Sequence, residues 1–128
     1  MAVKYLSEEW MSAVQDALNS SDAFQNAAKG QSAKLQNVVT GAPQGDVHYS
    51  FVLDGGKVSI GNGDVDGAEA TITNDYDTAV KLNKGELQGQ AAFMQGKVKI
   101  SGNLMKMMQL QGVLGAMPAA VSSVEVEY

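Results

Sequence analysis

Apolar residues recur along this chain in two rhythms, and the change of rhythm divides it into elements. Trp10, Met11, Val14 and Leu18 fall at helical spacing and make one stripe. Ser7 stands where an N-cap is needed, Glu8 and Glu9 lie beside the positive end of the helix dipole, and Leu6 is placed to staple onto Met11. A second short helix is expected from Ser21, carrying Phe24, Ala27 and Ala28 and stopping at Gly30. From Leu35 the period falls to two. "LQNVVTGAPQG" reads as a strand ended by Gly41, Pro43 and Gly45, and Val47, Tyr49, Phe51 and Leu53 then alternate with polar neighbours. Asp54-Gly55-Gly56 turns that strand into Val58 and Ile60 as a tight hairpin, and "AEATITN" gives a fourth strand after a polar loop.

Helical spacing returns at Tyr76, Ala79, Val80 and Leu82, capped by Asn74 or Asp75 and stopped at Gly85. A short helix around Gln90–Gln95 precedes a fifth strand, "GKVKISG", with Val98 and Ile100 on one face and Lys97, Lys99 and Ser101 on the other. Asn103 caps a last helix that Pro118 is expected to end, leaving an extended tail over 119–128. The order is two helices, four strands, two helices, one strand, one helix. That order predicts a single α+β domain over 1–128, its helices packed on one face of a five-stranded, mainly antiparallel sheet.

Composition narrows what such a domain can do. The chain has 128 residues and no cysteine, so it needs a core large enough to hold it without disulfides and offers no thiol chemistry. Nine basic against fourteen acidic residues give a net charge of −5, with no lysine cluster able to displace the counterions of a nucleic acid. "MAVKYLSEEW" lacks the apolar run of a signal peptide, and no stretch approaches the ~18 apolar residues of a membrane span. The expectation is a soluble, cytoplasmic domain.

Candidate chemistry adds little. Asp46, His48 and Ser50 share one face of a strand, but alternate residues lie ~7 Å apart, too far for a relay, and no nucleophile turn accompanies them. "NGDVDGAEATIT" imitates the start of a calcium loop, yet Thr73 stands where a bidentate Glu belongs. The Gly-Lys pairs at 56–57 and 96–97 lack the glycine of a phosphate loop, and one histidine without cysteine is a poor start for a transition-metal site. The reading is a protein without catalytic residues, metal or cofactor.

The methionines stand out instead. Leu104, Met105, Met107, Met108, Leu110, Val113 and Leu114 spread around most of a helical wheel. So wide an apolar arc is buried on more than one side. Core packing or a dimer surface is one explanation, and a ligand cavity is the other, to which methionine suits itself by repacking around varied shapes.

"GELQGQAAFMQGKVKISGNLMKMMQLQ" resembles the signature of the sterol carrier protein type-2 family, in Gly85, Leu87, Ala92-Phe93-Met94, Gly96-Lys97, Lys99-Ile100, Gly102-Asn103 and Leu110-Gln111. The resemblance implies an apolar tunnel between sheet and helices that binds a fatty acid, fatty acyl-CoA, sterol or other lipid without catalysis. It puts Phe93, Met94, Leu104, Met105 and Met108 at the tunnel and makes Gln111 a polar contact. It also implies a small lipid partner and transient membrane contact. A stand-alone, bacterial-style carrier is expected, because the chain ends Val126-Glu127-Tyr128 and not in a peroxisomal address. A homodimer through the last helix is the alternative.

Overall fold

The computed structural model describes residues 2–128, with residues 89, 90 and 118 described for their backbone alone. The chain runs β1 (Val3–Lys4), α1 (Glu8–Ser20), α2 (Asp22–Ala28), β2 (Ser32–Ala42), β3 (Gly45–Asp54), β4 (Lys57–Asn62), β5 (Ala70–Asp75), α3 (Tyr76–Lys84), α4 (Gly89–Met94), β6 (Val98–Gly102), α5 (Leu104–Gln109), α6 (Gln111–Ala120) and β7 (Val126–Glu127). Strands β2 to β6 form one sheet in the order β4-β3-β2-β5-β6, and β1 and β7 form a separate parallel pair. Within the large sheet only β2 and β5 run parallel.

Local chemistry explains the ends of the elements. Ser7 accepts from Trp10 N, Ser21 from Phe24 N and Asp75 from Thr78 N, so each of the first three helices starts on a side-chain cap. Asp75, not Asn74, is the cap of α3. The β3–β4 hairpin turns through Gly55 and Gly56, both at positive φ, the conformation a two-residue turn demands.

Apolar alternation sets the layers. Val58, Leu53, Phe51, Leu35, Ala33, Val39 and Ala70 are buried against the helices, as are Trp10, Met11, Val14, Leu18, Phe24 and Ala28. Ala27 faces solvent, outside the stripe the sequence drew for it. On the opposite, open face the Gln36 amide donates to the carbonyls of Tyr49 and Gly63 and accepts from Val65 N at 2.7 Å, pinning the loop after β4 across the sheet.

Two expectations about the C-terminal third are corrected. The last helix is two helices, because Leu110 (φ −91, ψ 3) breaks the axis between α5 and α6. Pro118 does not end α6, which continues to Ala120. Proline forfeits one helix hydrogen bond, but beyond it Val121 N still closes onto Met117 O at 3.0 Å. The tail then returns to the N-terminus, where β7 pairs with β1.

Candidate functional site

The wide apolar arc is divided between α5 and α6 at Leu110: Met107, Leu110 and Val113 are buried, Leu114 is partly buried against the core, and Leu104, Met105 and Met108 are exposed. Phe93 is 46% exposed, Met94 80%, Leu104 49%, Met105 72% and Met108 68%. Gln111 is exposed as well. The first five of these residues flank β6, the edge strand, and Gln111 opens α6. Phe93 and Met94 close α4 before it, and Leu104, Met105 and Met108 lie on α5 after it. The structure therefore brings them to one margin of the sheet as two groups, one at each end of β6.

The helix-facing side of the sheet supplies an interior that sequence reasoning did not single out. Strand register arranges its side chains in transverse rows. One row is Ile60–Phe51–Leu35–Ala70–Gly102, the next is Asn62–Tyr49–Asn37–Ile72–Ile100, and the next is Val47–Val39–Asn74–Val98. Phe51, Leu35 and Ala70 are buried on one side, and Val47, Val39 and Val98 on the other. Between them Tyr49, Asn37, Ile72 and Ile100 all keep accessible surface. A band of incompletely covered side chains thus crosses the middle of the face and ends at Ile100 on the edge strand, with Ile60 and Asn74 of the flanking rows partly covered as well.

The band carries polar groups. Burial pushes the Tyr49 hydroxyl up to about 12, so the phenol is neutral at physiological pH. Among the described residues neither that hydroxyl nor the Asn37 carboxamide has a hydrogen-bond partner. Trp10 stands edge-on over Tyr49, with ring centroids 5.6 Å apart, and its buried indole N–H is unpartnered among the described residues. That one unmet buried N–H costs about 1–3 kcal/mol. The row therefore presents donors and an acceptor beside the apolar Ile72 and Ile100. A polar residue at position 37, in step with Leu35 and Val39, was the sequence signal for it.

Trp10 also borders a concavity of about 290 Å³ that Val14, Asn83, Lys84, Val124, Val126 and Tyr128 help to line. Tyr5 packs there against Trp10, Tyr76 and Tyr128. Its hydroxyl donates to Ala79 O at 3.1 Å, and desolvation, with the neighbouring tyrosines, holds it protonated well above the usual phenol range.

The hydrolase-like set is dispersed. His48 Nδ1 lies 2.6 Å from an Asp64 carboxylate oxygen on the loop after β4, Asp46 accepts from Gly41 N, and Ser50 donates to Gly61 O. The same His48 contact occupies Asp64 of the calcium-like stretch. Among the described residues no group of three or more His, Cys, Asp or Glu could hold a metal ion, and no helix is long and apolar enough to cross a membrane.

Comparison with known proteins identifies the class. Residues 9–115 match the model of the SCP-2 sterol transfer family, and the chain belongs to that family. A fatty acid-binding protein of Yarrowia lipolytica is 31% identical over 108 residues, covering 79% of this chain and 82% of that one. A crystal structure of sterol carrier protein 2 superposes with a TM-score of 0.81 at 21% identity, over 94% of this chain and 99% of that one. The solution structure of a conserved hypothetical protein of Thermus thermophilus gives a TM-score of 0.81 at 20% identity, over 99% and 94%. These two structures share the α+β fold, with helices packed on one face of the sheet.

Proposed function

We propose that the chain binds one long-chain lipid between the sheet and the helices and carries it without chemical change. The observation that carries this reading is the row of accessible side chains at Tyr49, Asn37, Ile72 and Ile100 between rows in which Phe51, Leu35 and Ala70 on one side and Val47, Val39 and Val98 on the other are buried. A lipid would lay its chain along the isoleucines and offer its polar end to Asn37, Tyr49 and the Trp10 N–H. Phe93, Met94, Leu104, Met105, Met108 and Gln111 would form the mouth, since the first five flank the edge strand where the row ends and Gln111 follows directly on α5. The relative from Yarrowia lipolytica, described as a fatty acid-binding protein, favours a fatty acid over a sterol.

The energetics suit a carrier. Burying about fifteen methylenes at ~0.8 kcal/mol each yields ~12 kcal/mol, of which several are lost to ordering the chain and to lost translation. The remaining ~7–9 kcal/mol corresponds to a Kd near micromolar, tight enough to hold and loose enough to release.

The test uses native mass spectrometry on protein prepared without detergent, with titration of palmitate followed through Trp10, the only tryptophan. The expected result is a one-to-one complex and a saturable change in indole emission, because Trp10 roofs the row at Tyr49. An empty protein that also ignores palmitate, acyl-CoA and sterol would overturn the proposal.

A further inference from the structure

We infer that Asp66–Gly67, in the loop between β4 and β5, is a site of spontaneous isomerisation to isoaspartate, and that the fold diverts this chemistry from Asn62–Gly63. An aspartate or asparagine followed by glycine can close on itself. The glycine backbone nitrogen attacks the side-chain carbonyl carbon, and glycine has no Cβ to obstruct it. Asparagine expels ammonia and aspartate expels water, each leaving a succinimide ring. Water then opens the ring at either carbonyl, so aspartate isomerises with no net gain or loss, whereas asparagine exchanges ammonia for water. Opening on the main-chain side routes the backbone through the old side chain and lengthens it by a methylene. A neutral amide reacts faster than an ionised carboxylate, so in an unfolded chain Asn62 would lead.

The chain holds three such pairs, Asp54–Gly55, Asn62–Gly63 and Asp66–Gly67, and the fold treats them differently. Gly63 N donates to His48 O at 2.8 Å, and Asn62 is in register with Tyr49 at the end of β4. Gly63 O accepts from the Gln36 amide, and just beyond it the Asp64 carboxylate meets His48 Nδ1 at 2.6 Å. Ring closure at Asn62 must therefore break the hydrogen bond of its own nucleophile and turn a peptide held from both sides. Asp54 pairs with Ser32 on one side and Lys57 on the other, and Gly55 N donates to Ser32 Oγ at 3.3 Å. Gly67 differs. Among the described residues neither its nitrogen nor the Asp66 carboxylate has a hydrogen-bond partner, and both residues are exposed. The tethers stop on either side, Val65 N on Gln36 Oε1 and Glu69 N on Lys34 O, each at 2.7 Å. They bracket the reactive pair without holding it. His48, Asp64 and Gln36 thereby keep the faster pair shut, while the slower one stands open.

Lipid plays no part in this chemistry, and the test uses protein freed of it. Folded protein held below its melting temperature, and the same protein in urea, would be sampled over time by peptide mapping. Isoaspartate would be read with a carboxyl methyltransferase specific for that residue. In the folded protein it should collect at position 66 at least ~10-fold faster than products appear at 54 or 62, because a tethered pair reacts only when the structure opens locally. In urea Asn62 should overtake it. Asp66→Glu should abolish the product, since the larger ring closes far more slowly. His48→Ala, which releases Asp64, should speed deamidation at Asn62 by about fivefold, the weight of one ordinary hydrogen bond. Asn62 turning over as fast in the folded protein as in urea would overturn the proposal. So would folded protein in which position 66 stays unmodified, or in which position 54 leads.

Discussion

Gly102 ends β6 at φ +99 where the chain turns into α5, and replacing it with alanine tests how the site margin is held together. A methyl group built there would lie 2.6 Å from the Glu69 carbonyl oxygen and 2.9 Å from the Ala70 Cα, both backbone atoms of the adjoining strand and its lead-in. Neither can rotate away, so β6 must move from β5. A left-handed conformation costs a residue bearing a Cβ about 1–2 kcal/mol. The displacement also strains the 2.8 Å hydrogen bond from Asn103 N to Glu69 O, worth about 1 kcal/mol. Gly102→Ala should therefore destabilise by about 3 kcal/mol. With a urea dependence of roughly 1.5–2 kcal/mol per molar, the unfolding midpoint falls by about 1.5–2 M, read by circular dichroism. A midpoint within about 0.3 M of the parent would refute the account of β6 and of the α5 entry built on it.

The other predictions address the interior row and a helix cap. Asn37→Leu replaces a partly exposed amide with apolar volume and should leave stability unchanged within about 0.5 kcal/mol while weakening palmitate binding at least tenfold, both read from one set of melts and titrations. A lower melting temperature would show that the amide is structurally required. Asp75→Ala should cost about 1 kcal/mol by removing the cap of α3, and Asp75→Asn should recover most of it at neutral pH. The hydrogen bond from Thr78 holds the Asp75 carboxyl below its ordinary value, so its contribution is complete at neutral pH and is lost as pH falls from roughly 4 through the folded-state value. Acid titration of the Asn variant should lack that loss.

Much of the fold was legible because its signals are local. Ser7 and Ser21 announce caps, Gly55-Gly56 a hairpin, and the alternation from Val47 to Leu53 a half-buried strand. Leu6 and Met11, expected to staple together, are both buried, and Leu6 takes an uncommon φ of 66 that nothing in the sequence announces. Long-range facts were not legible. Nothing around Ser32–Ala42 says that β2 lies beside β5 and not at an edge, and only that placement puts Asn37 between Tyr49 and Ile72. A helical wheel across 104–114 treats the stretch as one helix with one covered arc, so it merged the exposed Met105 and Met108 with the buried Met107 of the same helix and with the buried Val113 beyond the turn at Leu110. The methionines were rightly singled out as unusual, and what the wheel could not supply was the direction in which each one faces.

The pairing of the two chain ends also bears on the order of folding. Val3 and Val126 are register partners, joined through Val3 N to Glu125 O at 2.9 Å and Tyr5 N to Glu127 O at 3.0 Å. Closing so long a loop costs about 2 kcal/mol more entropy than closing one a tenth as long, and two hydrogen bonds return little of it. The hairpin of β3 and β4 can form early from neighbouring residues, whereas the terminal pair must wait for the intervening chain to condense. Amide protons of Val3 and Tyr5 should accordingly exchange with solvent well before those of β2, as the two ends part and rejoin beside Trp10 while the five strands stay zipped.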